Sequence, residues 1–246
     1  MRELGCDPTK QMEDEIMRTR NALLAVMVVF LFCSVVLAEK PPEAGTTGAE
    51  LAKLQLPQPS TVKVLVIPLW DYTSDIFHQR TATAGVYQRV EHEGFNMLPI
   101  LKGFEVVRAD SELEPGLPLR KAEAIRLGKA AGADWAVYGE VRELRVYEKS
   151  KFLGSTKKII CSMRLAIVDC NKGEVIYWKE RSDTLGDSGL LARKSTKLIR
   201  VGVQSVSNNI LTPLFTAMPK HEVKGAVPDD AALLEFEKKM WPEGGD

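Results

Sequence analysis

Asp71 and Asp75 stand just after an apolar run, Val62-Lys-Val-Leu-Val-Ile67, with His78 three residues further on. In sheets with parallel crossovers, ligands gather beyond the carboxyl ends of the strands. Two carboxylates there can hold a divalent cation or act as acid and base, with His78 as a third group. The same residue types also make turn and cap bonds, and that is the favoured reading. Gly-x-x-x-x-Gly-Lys-Ser/Thr and Gly-x-Gly-x-x-Gly are both absent, so no phosphate-cradling loop accompanies the carboxylates.

Gly186-Asp-Ser-Gly189 echoes the nucleophile loop of serine proteases. That chemistry needs a histidine base oriented by a carboxylate, plus donors for the oxyanion. Leu190 stands where a second glycine is required, and none of His78, His92 and His221 has the matching local sequence. The segment reads instead as a loop capping a helix that starts near Leu190. Arg193, Lys194, Lys197 and Arg200 lie at helical spacing and read as the solvated side of that helix. Cys161 and Cys170 fall on one strand, nine residues apart, or about 30 Å of extended chain. That is too far for a disulfide, and the odd spacing sends them to opposite faces, one as a buried thiol and one at a strand end. No catalytic, cofactor-binding or metal residue is assigned, and no cofactor is expected. Candidates for contact with a partner are Asp71, Asp75 and the aromatics Tyr147, Phe152, Tyr177 and Trp178, since aromatic anchors dominate interface energetics.

The chain has 246 residues, with 33 basic and 33 acidic side chains. Zero net charge removes the basic footprint of a nucleic-acid binder. A content of 45% hydrophobic and 27% charged residues is that of ordinary globular protein, and four cysteines do not make a disulfide scaffold.

Residues 22–38 carry no charge, Arg18 and Arg20 precede them, and Val36-Leu37-Ala38 suits a cleavage site. This is the layout of a secretory signal peptide. Residues 1–16 fit it poorly, so Met17 reads as the better start, and 1–38 is taken as the signal with an over-long beginning. The alternative is an uncleaved inner-membrane anchor: 17 apolar residues reach about 25 Å, slightly short of a ~30 Å hydrocarbon core. Phe32 before Cys33 does not suit lipoprotein processing. Export puts Cys161 and Cys170 in a potentially oxidising compartment.

Residues 39–60, rich in Pro, Gly, Thr and Glu, read as a linker, 61–217 as one domain and 218–246 as a tail with a short amphipathic helix capped by Asp229 or Asp230. Within the domain, Val62–Ile67 reads as the first strand. Ala82, Val86 and Val90 mark a helix shortened or broken by Gly94 and Pro99, and Gly103–Val107 reads as a second strand. Leu119–Ala131 is a helix stopped by Gly132. Strands follow from Asp134 and across Ile159, Cys161, Met163, Leu165 and Ile167, with a charged loop at 147–157 between them. A turn at Asp169–Gly173 leads to a strand over Glu174–Ser182, and then to a long helix with Pro213 near its end. The order β-α-β-α-β-β-β-α predicts an α/β (α+β) fold: one mixed sheet with helices packed on it, crossovers first and a meander second. The apolar stripe of the tail, Leu233, Leu234, Phe236 and Met240, is expected to dock back on the domain.

Val64-Leu-Val-Ile-Pro-Leu-Trp-Asp71, Ala130-Ala-Gly-Ala-Asp-Trp-Ala-Val-Tyr-Gly-Glu-Val141 and Leu165-Ala-Ile-Val-Asp-Cys-Asn-Lys-Gly-Glu-Val175 together resemble one superfamily. It comprises TolB-amino-terminal-type domains, the curli secretion channel protein and the lipoprotein activators of penicillin-binding proteins. The resemblance covers about residues 60–217 and implies a periplasmic or otherwise exported bacterial domain without catalysis, docking on an envelope protein or assembling with itself. It transfers no catalytic residue. The chain departs from the lipid-anchored members in lacking an acylated cysteine. The 147–157 segment also lacks the apolar alternation of a membrane-spanning hairpin, which argues against a pore.

Overall fold

Val64 and Val66 face one side of the first strand and Leu65 and Ile67 the other, and all four are buried. A strand apolar on both faces belongs inside a sheet with cover on each side. A computed structural model describes residues 45–242, apart from 74, 115, 152, 153, 190–193 and 224. The export segment, the first six residues of the linker and Phe152 lie outside the described residues. Among the described residues, no helix is long and apolar enough to cross a membrane.

In chain order the elements are α1 (Gly48–Leu51), β1 (Lys63–Val66), β2 (Trp70–Asp71), α2 (Ile76–His92), β3 (Asn96–Met97) and α3 (Ile100–Ala109). Then come α4 (Lys121–Ala131), β4 (Trp135–Lys151), β5 (Gly154–Asp169), β6 (Glu174–Gly189), α5 (Ser195–Ala217) and α6 (Asp230–Met240). The strands make one mixed sheet in the order β3-β1-β4-β5-β6, with β2 continuing beside β4. β1 is parallel to β3 and β4, while β4, β5 and β6 form an antiparallel meander. The α/β class and the single mixed sheet are as the sequence predicts.

One face carries α2, α5 and α6 over Val64, Val66, Val137, Met163, Leu165 and Ile167. The other carries α3 and α4 over Leu65, Ile67, Ala136 and Val168. Cys161 belongs to the first layer and Cys170, just past the end of β5, to the second, on opposite faces as their odd spacing requires, and both are free and buried. Burial raises both thiols, Cys170 to about 11 and Cys161 further. Asp134 joins three elements, accepting from Lys63 N at 3.0 Å and from Asn171 Nδ2 at 3.2 Å.

Several expected elements differ. Gly103–Val107 lies inside α3, not in a strand, and β3 fills the strand position with two residues. Gly103 lets α3 lie on the edge of β1, where a Cβ would fall on Val66 O. The buried positions Ile100, Gly103 and Val106 repeat at helical spacing, so tertiary position overrides the β preference of Val106-Val107. α2 is a full 17 residues, because Gly94 and Pro99 fall after its end. Residues 147–151 and 154–157 are the paired far ends of β4 and β5, tied by Lys157 to Glu148 at 3.4 Å. Gly186–Gly189 is the end of β6, paired with 155–158 of β5, and α5 begins only at Ser195. Pro213 sits within α5 without ending it, and beside it the buried Tyr177 hydroxyl donates to Ile210 O.

Part of the stretch read as a linker is packed. Thr46 N donates to Trp178 O at 2.8 Å, Thr47 and Glu50 cap α1 reciprocally, and Leu51 is buried. The tail docks back, with Leu233 buried and Phe236 stacked on Tyr87 at 5.4 Å between ring centres. Lys194 and Lys197 are exposed as expected, Lys197 pairing with Asp230 at 3.3 Å, whereas Arg200, 12% exposed, is drawn to Glu237 at 2.8 Å, and both partners lie on α6.

A polar cluster fastens the chain after α5 to the end of α2. His221 holds Pro219 O at 2.8 Å through Nδ1 and Glu93 Oε2 at 2.9 Å through Nε2. Both partners only accept, so His221 donates from both nitrogens and carries a charge. The bond to Pro219 O, and then Glu93, raise its pKa against the opposing effect of burial. Burial opposes ionisation of Glu93, but hydrogen bonds from Arg89 and His221 hold its carboxyl below the usual value. The His221 contribution to stability is full below its ordinary 6.5 and is lost as pH rises through its raised value. The Glu93 contribution is full above 4.5 and is lost as pH falls through its lowered value. Urea unfolding from pH 5.5 to 9 is therefore expected to show stability falling more in the native chain than in His221→Gln. Parallel curves would contradict the assignment.

Candidate functional site

α3 and α4 cover their face only as far as Ala136 of β4 and Val168 of β5. Beyond Ala136 and Val168, the same face of β4, β5 and β6 carries polar and aromatic side chains. Strand register sets them in rows, since cross-strand partners share a face. Tyr138, Ala166 and Trp178 form one row, and Trp70, Glu140, Arg164 and Glu180 the next. The register is pinned by the Asp169–Gly173 turn, where Asp169 Oδ1 accepts from Asn171 N and Lys172 N and Gly173 takes φ 75°. A bulge between Val141 and Glu143 adds Arg142 to the group.

The charges alternate and interlock. Arg142 Nη1 reaches Glu180 Oε1 at 2.7 Å, and its Nε lies 3.5 Å from Glu140 Oε2. Arg164 lies 4.0 Å from Glu140 Oε1 and stacks its guanidinium over the Trp178 ring at 5.1 Å. Arg142 and Arg164 are each about two-fifths exposed, so these pairs contribute little to stability, ~0–1 kcal/mol each. An arginine on a half-buried tryptophan, ringed by charges, is the anchor chemistry of protein interfaces. Gly139 is forced by the backbone: a Cβ would fall on Arg164 O and lie 3.0 Å from Leu165 Cα. Two cavities border this face. One of about 200 Å³ lies under the start of α4, and one of about 290 Å³ beyond the end of β1.

Asp71, Asp75 and His78 do come together. Asp71 is buried and accepts from Thr73 N at 2.8 Å and Thr73 Oγ1 at 2.6 Å. Thr73 Oγ1 lies 3.0 Å from His78 Nδ1, and Asp75 caps α2 by accepting from Phe77 N at 2.8 Å. His78 Nε2 is 3.8 Å from Asp75. Both oxygens of Asp71 are thus engaged in the turn, which favours cap and turn bonding over metal chemistry. No group of three or more His, Cys, Asp or Glu able to hold a metal ion occurs among the described residues. Calorimetric titration with Ca, Mg, Mn or Zn is expected to give no heat. Saturable heat abolished by Asp71→Asn would restore the metal reading.

The aromatic candidates divide. Trp178 lies on the open face, and Tyr147, 47% exposed, stands toward the far end of β4. Tyr177 is a correction: it is wholly buried against α5 and has no surface to offer a partner. Alternation decides this, since neighbours in a strand face opposite ways. Trp70, Tyr138, Glu140, Arg142, Arg164 and Glu180 were missed. The signal lay in the turn register, which pairs Arg164 with Glu180 opposite the apolar stripe of β5.

No protein family and no curated protein matches the chain in sequence. Among solved structures, it is similar to PelC of Paraburkholderia phytofirmans, solved as a dodecamer, with TM-score 0.44 and 15% identity, over 73% of this chain and 99% of that one. It is also similar to lipoprotein GNA1162 of Neisseria meningitidis, with TM-score 0.41 and 17% identity, over 61% of this chain and 99% of that one. A third likeness is to the carboxyl-terminal domain of LpoB of Escherichia coli, with TM-score 0.36 and 13% identity, over 55% of this chain and 91% of that one.

Proposed function

We propose that the chain is an exported, non-catalytic bacterial envelope domain that docks on an envelope protein through the open face of β4, β5 and β6. The observation that carries this is the Arg164–Trp178 stack set among Glu140, Arg142 and Glu180 on a half-sheet that α3 and α4 leave uncovered. Export rests on the apolar run at 22–38, with cleavage after Ala38 as the favoured outcome and an inner-membrane tether as the other. The site uses no cofactor and no nucleic acid.

In-cell cross-linking, affinity capture by a carboxyl-terminal tag and mass spectrometry test the reading. The expected result is one dominant envelope protein with the native chain, lost when Arg142 and Arg164 are both changed to Glu. Retention of that protein at native yield would overturn the assigned face. Links only between copies of the chain would replace docking by self-assembly.

A further inference from the structure

We propose that the far end of the open face recognises an acidic protein surface, the partner presenting a cluster of Asp or Glu side chains to Arg145, Lys149 and Lys158. This rests on the docking reading and names the chemistry that the partner must carry. Register continues the rows of the face outward past Arg164. Ile160 and Lys158 follow on the same side of β5, since side chains alternate along a strand. Arg145, Ile160 and Thr184 therefore make one row, and Tyr147, Lys158 and Gly186 the next. Lys149 lies in the row beyond, opposite Thr156. Lys158 is six residues from Arg164, or ~20 Å along the strand.

The two ends of the face differ in charge balance. Near Trp178 the arginines are matched, Arg142 and Arg164 by Glu140 and Arg142 also by Glu180. At the far end Arg145, Lys149 and Lys158 are all exposed, and among the described residues no carboxylate pairs with any of them. The nearby carboxylates are engaged on the reverse of the sheet: Glu148 pairs with Lys157, and Asp183 accepts from Ser205 and Asn209 of α5. Glu143 shares the face but is half-buried and lies opposite Ser162, nearer the matched end. Three cations against one carboxylate leave this end positive on a chain of zero net charge. Tyr147, 47% exposed, stands between Arg145 and Lys149 and across from Lys158, where it offers a ring and a hydroxyl to the same occupant. Ile159 and Cys161 on the reverse are buried against Gly202 of α5, so the strands are held from that side and the cations are not needed for it. A protein is favoured over an anionic bilayer because these cations continue the sheet face of the Arg164–Trp178 stack, and one rigid surface meets both. Charge matching of this kind sets the association rate and its salt dependence.

Fluorescence polarisation with fluorescein-labelled deca-glutamate, and deca-lysine as its control, tests this on the full exported chain at low salt. The native chain is expected to bind deca-glutamate and not deca-lysine. Affinity should fall tenfold or more when Arg145, Lys149 and Lys158 are together changed to Gln, and should hold in Lys102→Gln and Lys238→Gln, exposed lysines of α3 and α6. Circular dichroism checks that the triple variant folds. The partner captured by cross-linking is expected to fall tenfold in yield with the same triple variant, and to be lost by the native chain at high salt. Deca-glutamate binding indifferent to the triple variant, or partner capture at native yield, would overturn the acidic-partner assignment. Binding to phosphatidylglycerol vesicles that the triple variant loses, with capture unchanged, would overturn it in favour of an anionic membrane. In either case the docking reading stands if capture still depends on Arg142 and Arg164, and falls if it does not.

Discussion

Changing Arg142 and Arg164 together to glutamate is expected to abolish partner capture while leaving the fold intact. Arginine anchors in a desolvated interface are worth about 2–4 kcal/mol each, so the pair corresponds to a loss of roughly 1,000-fold or more in affinity. Reversal adds repulsion, because Glu140 and Glu180 already flank both positions. The arginines are two-fifths exposed, which limits the cost to stability, although Glu140, 16% exposed, loses both of its cationic neighbours. Calorimetry with the captured partner measures the first quantity and urea unfolding the second. An unfolded variant would show that the network holds the sheet together. A folded variant of native affinity would remove the open face from the account.

Gly139→Val is expected to have the opposite signature, a large loss of stability. The new Cβ would fall on Arg164 O of the neighbouring strand and close to Leu165 Cα. These are backbone atoms at the centre of the sheet, which a rotamer change does not relieve. Overpacking of this kind costs about 3 kcal/mol or more. Gly186→Val, near the far end of β6, meets only Lys157 O at 4.0 Å and is expected to change stability by less than about 1 kcal/mol. Equal urea midpoints for the two variants would contradict this view of the β4–β5 contact.

Residues whose local chemistry and tertiary role agree were legible in the sequence. The alternation from Ile159 to Ile167, the Asn171–Gly173 turn, the left-handed stop at Gly132 with φ 71° and the Asp229 cap all stand where the pattern places them. Failures came where the surroundings decide. Gly103-Phe-Glu-Val-Val107 has strand-like composition, but the edge of β1 admits a helix against Val66 O, and only Gly103 allows that approach. The ends of β4 and β5 are charged and lack apolar alternation, because pairing continues there past the core. Glu140, Arg164 and Glu180 are far apart in sequence and become one site only through register. Tyr177 and Trp178 are adjacent in sequence, yet one is core and the other lies on the open face, a distinction made by the direction of the pleat.

The most direct test of the docking face is a photo-crosslinking scan in living cells. A benzophenone amino acid would replace, one at a time, Arg142, Arg164, Trp178 and Glu180, with Lys102 on α3 and Lys238 on α6 as outlying positions. The four positions on the face are expected to give adducts with the same envelope protein, and the two outlying positions none. Adducts from Lys102 or Lys238, with none from the face, would contradict it and move the docking surface to the helices.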